Sequence, residues 1–128
     1  MSVFVDKNEF EEFKEGFEYY FSVRRYEDYS GSVSVTADHV FYAFENSEET
    51  LDVVSTLLIG KYIVELSDSI RAIHYKLIEK AINKTLTKCD TFDLSEDEKT
   101  EMISLASEIK QKLPTLKIIE PNSDNLNP

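Results

Sequence analysis

The chain has 128 residues, and 25 acidic against 14 basic residues give it a formal net charge of −11 at pH 7. This length suits one domain, and the 41% of apolar residues can fill its core, which excludes a largely disordered chain. A single cysteine, Cys89, excludes an internal disulfide and favours an intracellular, cytoplasmic protein. Neither a signal peptide nor a run of the about 20 apolar residues that span a bilayer is visible, so no membrane partner is expected.

Proline and glycine divide the chain into a helical part and a tail. No proline and only one glycine, Gly60, lie between Ser32 and Leu113, whereas all three prolines follow Leu113. Because these residues interrupt helices, their distribution predicts a helical middle and a non-helical C-terminal tail.

The first helix is predicted to begin at Asp6, whose carboxylate can cap the helix together with Glu9. Aromatic residues at helical spacing then form a stripe that is typical of a buried core face: Phe10, Phe13, Phe17 and Phe21. Residues 31–35 are predicted to form a short extended connector. A second, short helix is expected from Thr36 to Glu45.

From Ser47 to Lys88 the pattern stays helical for about forty residues. Apolar residues recur at alternating steps of four and three, as in a helix seam: Ile59, Ile63, Leu66, Ile70, Ile73 and Leu77. One straight helix of this length would measure about 60 Å, whereas a compact domain of this size is about 35 Å across. We therefore predict a break or kink near Gly60. The alternative is an elongated protein whose seam is shared between subunits.

The last helix is marked by a capping box of Ser95 and Glu98 and ends before Pro114. Its apolar positions step by three, four and four: Met102, Leu105, Ile109 and Leu113. The predicted fold is all-α, a bundle of four to five helices around a long central helix. Residues 1–119 form the single domain in this interpretation, and residues 120–128 form a flexible polar tail.

Charge is unevenly distributed along the chain. Residues 31–58 contain five acids and no base, so a partner-binding role is predicted for these acids: Asp38, Glu45, Glu48, Glu49 and Asp52. Only residues 59–89 are net basic, and four lysines there recur every four residues: Lys76, Lys80, Lys84 and Lys88. This basic strip is interpreted as a solvated helix face, and a docking strip for phosphates is the less favoured alternative.

No catalytic residue, metal site or cofactor is predicted. His74 is interpreted as a core or boundary residue, and His39 follows Asp38 in what is predicted to be the first turn of a helix. Cys89 has no evident partner base. The acidic loop that begins at Asp90 lacks the glycine that a calcium-binding EF-hand requires at its sixth position.

These observations favour a non-enzymatic regulatory protein that docks on a basic protein surface, as immunity proteins, antitoxins and DNA-mimicking inhibitors do. One alternative is a self-assembling coat or scaffold subunit that uses the seam. A second is a nucleic-acid-binding or enzymatic helical module that uses Arg71, His74 and the basic strip. The composition is rich in Ile, Lys, Glu, Asn and Tyr and has no Trp, which resembles that of proteins from AT-rich genomes. Phages, archaeal viruses and low-GC bacteria are therefore the expected sources.

Overall fold

The computed structural model describes residues 3–4, 7–22, 32–47 and 49–119. Five α-helices and two short strands follow one another there, with single 3-10 turns at Cys89–Thr91 and Leu113–Thr115. They are α1 (Lys7–Ser22), α2 (Ser32–Ser47), α3 (Thr50–Leu66), β1 (Ser69–Arg71), α4 (Ala72–Lys88), α5 (Glu96–Lys112) and β2 (Lys117–Ile119). The predicted helical bundle is confirmed. The tail predicted at 120–128 lies outside the described residues.

Aromatic packing holds α1 on the core. The ring of Phe4 lies 4.9 Å from that of Phe10 and 5.3 Å from that of Phe13, between centroids. The backbone N–H of Val3 donates to the carbonyl of Asp93 at 2.8 Å, which anchors the start of the chain. The predicted cap residue, Asp6, and the side chain of Phe21 lie outside the described residues.

The second helix is longer than predicted, and the extended connector at 31–35 is wrong for residues 32–35. Helix α2 begins at Ser32 and ends at Ser47, so His39 is in its interior and not in its first turn. Serine and valine cost only about 0.5 kcal/mol each in a helix relative to alanine, so their alternation does not force an extended chain. Burial of Phe41 and Phe44 on the core favours the helical arrangement.

The predicted break near Gly60 is also wrong. Helix α3 passes through Gly60, and the long helical segment is interrupted only after Leu66, where β1 follows. A Cβ atom at position 60 would lie 3.0 Å from Cγ2 of Ile78 in α4. Gly60 therefore serves the close approach of α3 and α4 and does not bend the chain.

The heptad seam does not exist as one continuous surface. Leu66 and Ile73 are 55% and 48% exposed, and Ile70 is buried in β1. The strand between the two helices resets the helical phase, so the regular spacing in the sequence no longer corresponds to one face. Self-assembly through that seam loses its structural basis.

A small sheet that the sequence did not predict connects β1 and β2. The strands are parallel, with Ile70 opposite Ile118, and the crossover between them contains α4 and α5.

The capping box of α5 is confirmed, because the Ser95 hydroxyl accepts from Glu98 N–H and the Glu98 carboxylate accepts from Ser95 N–H. None of the described helices is long and apolar enough to cross a bilayer.

The close approach at Gly60 gives a stability prediction. We expect Gly60→Ala to destabilise the fold by about 1 kcal/mol, because overpacking against Ile78 outweighs the gain in helix propensity. Gly16 is an exposed residue of α1 and is the matched control, because a Cβ atom there would meet no described side chain or neighbouring element within 4 Å. Gly16→Ala should stabilise by about 0.5–1 kcal/mol. Urea unfolding measures both, and equal stabilisation by the two substitutions would contradict the packing role.

Candidate partner-binding surface

The acids predicted to bind a partner lie along α2 and around the turn into α3. Glu45 and Glu49 are exposed, whereas Asp52, in the first turn of α3, is partly buried. The hydroxyl of Ser47 donates to the Asp52 carboxylate and so closes the turn. Glu48 lies outside the described residues. The structure therefore brings Glu45, Glu49 and Asp52 to one end of the α2 and α3 pair.

Glu45 and Glu49 carry charges that the described part of the chain does not compensate. Neither carboxylate makes an ion pair there. Glu49 is the N-cap residue of α3, yet its side chain makes no capping hydrogen bond. Both carboxylates are thus available to an incoming cationic group, and the N-terminal end of the α3 dipole favours an acid at position 49.

Asp38 has a different environment, because its carboxylate is already bound. Oδ1 of Asp38 lies 3.2 Å from Nη1 of Arg71 and 2.6 Å from Nε2 of His74. These contacts tie α2 to β1 and to the first turn of α4. The Asp38 side chain remains 48% exposed, but much of its charge is compensated by Arg71.

His74 is a buried residue, as the sequence indicated. It is 1% exposed, and its ring packs edge-on against Phe41 with 4.8 Å between centroids. Burial lowers the pKa of His74 and outweighs the hydrogen bond with Asp38, which raises it. The imidazole is therefore neutral at pH 7, and its Nε2–H donates to the Asp38 carboxylate.

Exposed aromatic and aliphatic side chains accompany the acids, and they were not predicted as part of the site from the sequence. Tyr42 is 68% exposed and lies on α2 four residues after Asp38 and three before Glu45, which puts all three on one helix face. Leu51, at the start of α3, is 41% exposed. Tyrosine is enriched at protein interfaces, so its helical spacing with the acids was the available signal. We call Tyr42, Glu45, Glu49, Leu51 and Asp52 the acidic surface.

The basic strip lies on α4. Three of its lysines are exposed and Lys84 is partly buried. The Nζ atom of Lys80 is 5.4 Å from the ring centroid of Phe44 in α2, so this ammonium covers a buried aromatic ring. That contact gives Lys80 a packing role, in addition to its charge.

The described residues contain no group of three histidine, cysteine or acidic side chains that could hold a metal ion. Cys89 is a buried free thiol. Burial raises the pKa of the Cys89 thiol, so the thiolate that nucleophilic chemistry requires is disfavoured at neutral pH.

A helical protein with exposed acids and an exposed tyrosine around the connection of α2 and α3 has the properties of a protein-binding protein. The family model of immunity protein Imm3 matches residues 6–123. The chain therefore belongs to the Imm3 family of immunity proteins, and its function is a protein interaction of the immunity type, with a toxin as the partner. Searches among curated proteins and among solved structures gave no match.

The buried histidine gives a pH prediction. Since the pKa of His74 is lower in the native state than its ordinary value of 6.5, the unfolded chain takes up a proton that the native chain excludes. The free energy of unfolding should therefore be highest above pH 6.5 and fall below it, by up to about 1.4 kcal/mol per pH unit.

Urea unfolding at pH 7.5 and pH 5.5 measures this dependence. His74→Gln, which keeps a donor for Asp38, should show a smaller loss of stability between the two values than the unsubstituted chain. His39→Gln is the matched control, because His39 is exposed, and it should keep the full loss. An unchanged loss in His74→Gln would contradict the assignment.

Proposed function

We propose that this immunity protein neutralises its toxin by docking the acidic surface on a basic surface of that toxin. One observation carries the proposal: Glu45 and Glu49 are exposed, make no ion pair with the described residues and flank the turn next to the exposed Tyr42. The same part of the chain, residues 31–58, contains five acids and no base. Glu48 belongs to this set by its place in the sequence.

Interface physics supports this assignment. Exposed acids around an exposed aromatic ring correspond to the polar rim and anchoring centre of protein interfaces. Unpaired carboxylates attract a basic partner over distances up to the Debye length of about 8 Å at physiological salt. Asp38 receives a positioning role in this proposal, because Arg71 and His74 already bind its carboxylate and so hold α2 in place.

We also propose that the complex forms in the cytoplasm. The buried free thiol of Cys89 suits a reducing compartment. The inhibitor acts by covering the toxin in this proposal, and not by chemistry of its own.

A charge-reversal experiment tests the electrostatic docking. The toxin is identified as the protein that co-purifies with the tagged chain from the producing cells, and is then purified. We expect Glu45→Lys with Glu49→Lys to weaken binding about tenfold and to reduce its salt dependence, because two favourable charge pairs become repulsive. Isothermal titration calorimetry at 50 and 300 mM NaCl measures both quantities.

The matched control makes the same change of charge elsewhere. Glu79 in α4 and Asp90 after it are exposed and lie outside the acidic surface, so Glu79→Lys with Asp90→Lys should retain most of the affinity. Circular dichroism confirms that both double variants fold. Binding that does not depend on salt, or equal losses of affinity in the two double variants, would contradict electrostatic docking.

The exposed tyrosine gives a second test on the same surface. We expect Tyr42→Ala to weaken toxin binding at least about tenfold, since buried tyrosines at interface centres are frequent hot spots. Tyr19, on α1, is 73% exposed and provides the control Tyr19→Ala. Similar affinities of the two variants would place Tyr42 outside the interface.

A further inference from the structure

A groove of about 340 Å³ lies between α1, α3 and α5, apart from the acidic surface. The floor of the groove is apolar. It is formed by buried or partly buried side chains from all three helices: Phe10, Leu58, Tyr62, Met102 and Leu105. This volume falls in the range of sites that hold a side chain or a small ligand.

Carboxylates dominate the rim of this groove. Four glutamates face two lysines there: Glu11, Glu15, Glu101 and Glu108 against Lys14 and Lys61. Lys14 is neutralised within the groove, because its ammonium bonds to Glu101 and lies 3.2 Å from Glu11. Lys61 also interacts within the chain. Glu15 and Glu108 are exposed and make no ion pair with the described part of the chain, so their charge is available.

Lys14 shows what kind of group this environment binds. Its Nζ atom lies 5.0 Å from the ring centroid of Phe10, so the ammonium sits over an aromatic face as well as between carboxylates. Burial acts to lower the pKa of Lys14, but the hydrogen bonds and charges of Glu101 and Glu11 outweigh it and raise that pKa. An apolar floor with acids at its edge thus holds a cation that is partly removed from water.

We propose that the part of the groove next to Glu15 and Glu108 binds a basic side chain of the toxin through these two carboxylates. The basic residue is a lysine or an arginine with an apolar neighbour. The occupant follows from charge complementarity. The two rim groups without an ion pair in the described part of the chain, Glu15 and Glu108, are both acidic, and the floor suits the methylene stem of a basic residue. The inference rests on the proposed function in naming the toxin as the source. The groove would be a second region of contact with the toxin, separate from the acidic surface.

The first experiment uses a peptide and needs no toxin. An acetylated and amidated pentapeptide that alternates leucine with arginine is titrated into the ¹⁵N-labelled chain, and amide shifts are followed by NMR. We expect saturable shifts at Glu15, Leu105 and Glu108. The same peptide with citrulline in place of arginine keeps the shape without the charge, and it should bind about fivefold more weakly.

Paired variants check that the rim acids cause the binding. Glu15→Gln with Glu108→Gln should weaken the arginine peptide about fivefold, whereas Glu79→Gln with Asp90→Asn should leave its affinity unchanged. Equal binding of the two peptides, or shifts that avoid the groove, would overturn the inference. So would an unaffected Glu15 and Glu108 double variant.

The purified toxin then separates this inference from the proposed function. A loss of affinity in both the groove variant and the Glu45 and Glu49 variant supports both. A loss confined to Glu45 and Glu49 leaves the proposed function in place and overturns the groove contact. A loss confined to the groove variant does the reverse, because the toxin then binds without using the acidic surface.

Discussion

The structure depends on the burial of α3. This helix is apolar around most of its circumference, and nine of its seventeen residues are buried. A helix of this kind is stable in water only if other elements cover it on all sides, and α1, α2, α4 and α5 each pack against it. Gly60 lets α4 approach closely enough to complete the cover. The other four helices therefore turn their apolar faces inward and leave their charged faces to solvent and partners.

Local signals in the sequence were sufficient for much of this fold. The Ser95 and Glu98 capping box predicted the start of α5, because a cap depends on residues within one helical turn. The interruption after Leu66 carried its own signal, since Ser67, Asp68 and Ser69 have side chains that compete with helical backbone hydrogen bonds. Gly60 is the weaker signal of the two, because a glycine inside a helix also serves close packing. The pairing of β1 with β2 is non-local, and three residues per strand give no pattern to detect it.

The candidate surfaces also contain features that the sequence can predict and features that require the three-dimensional structure. The run of acids without bases made Glu45 and Glu49 candidates for partner binding, because charge can be counted along the chain. Pairing of Asp38 with Arg71 and His74 could not be predicted, since it requires the position of β1 relative to α2. The groove requires three helices at once, and its contributing residues, from Phe10 to Glu108, are separated by most of the chain.

The net charge of −11 is unevenly distributed between groups that are paired within the fold and groups that a partner meets. Several basic groups are committed to internal contacts: Arg71 to Asp38, Lys14 to Glu101 and Glu11, and Lys80 to the ring of Phe44. Acids such as Glu45, Glu49, Glu15 and Glu108 have no such commitments in the described part of the chain. Lys14 and Arg71 stabilise the fold, and the exposed lysines of the basic strip lie on α4, whereas these acids lie outside α4. Under the proposed function, the negative potential around them steers a basic toxin. Steering of this kind raises association rates more than it raises contact energy, which suits an inhibitor that must reach its toxin before the toxin reaches its target.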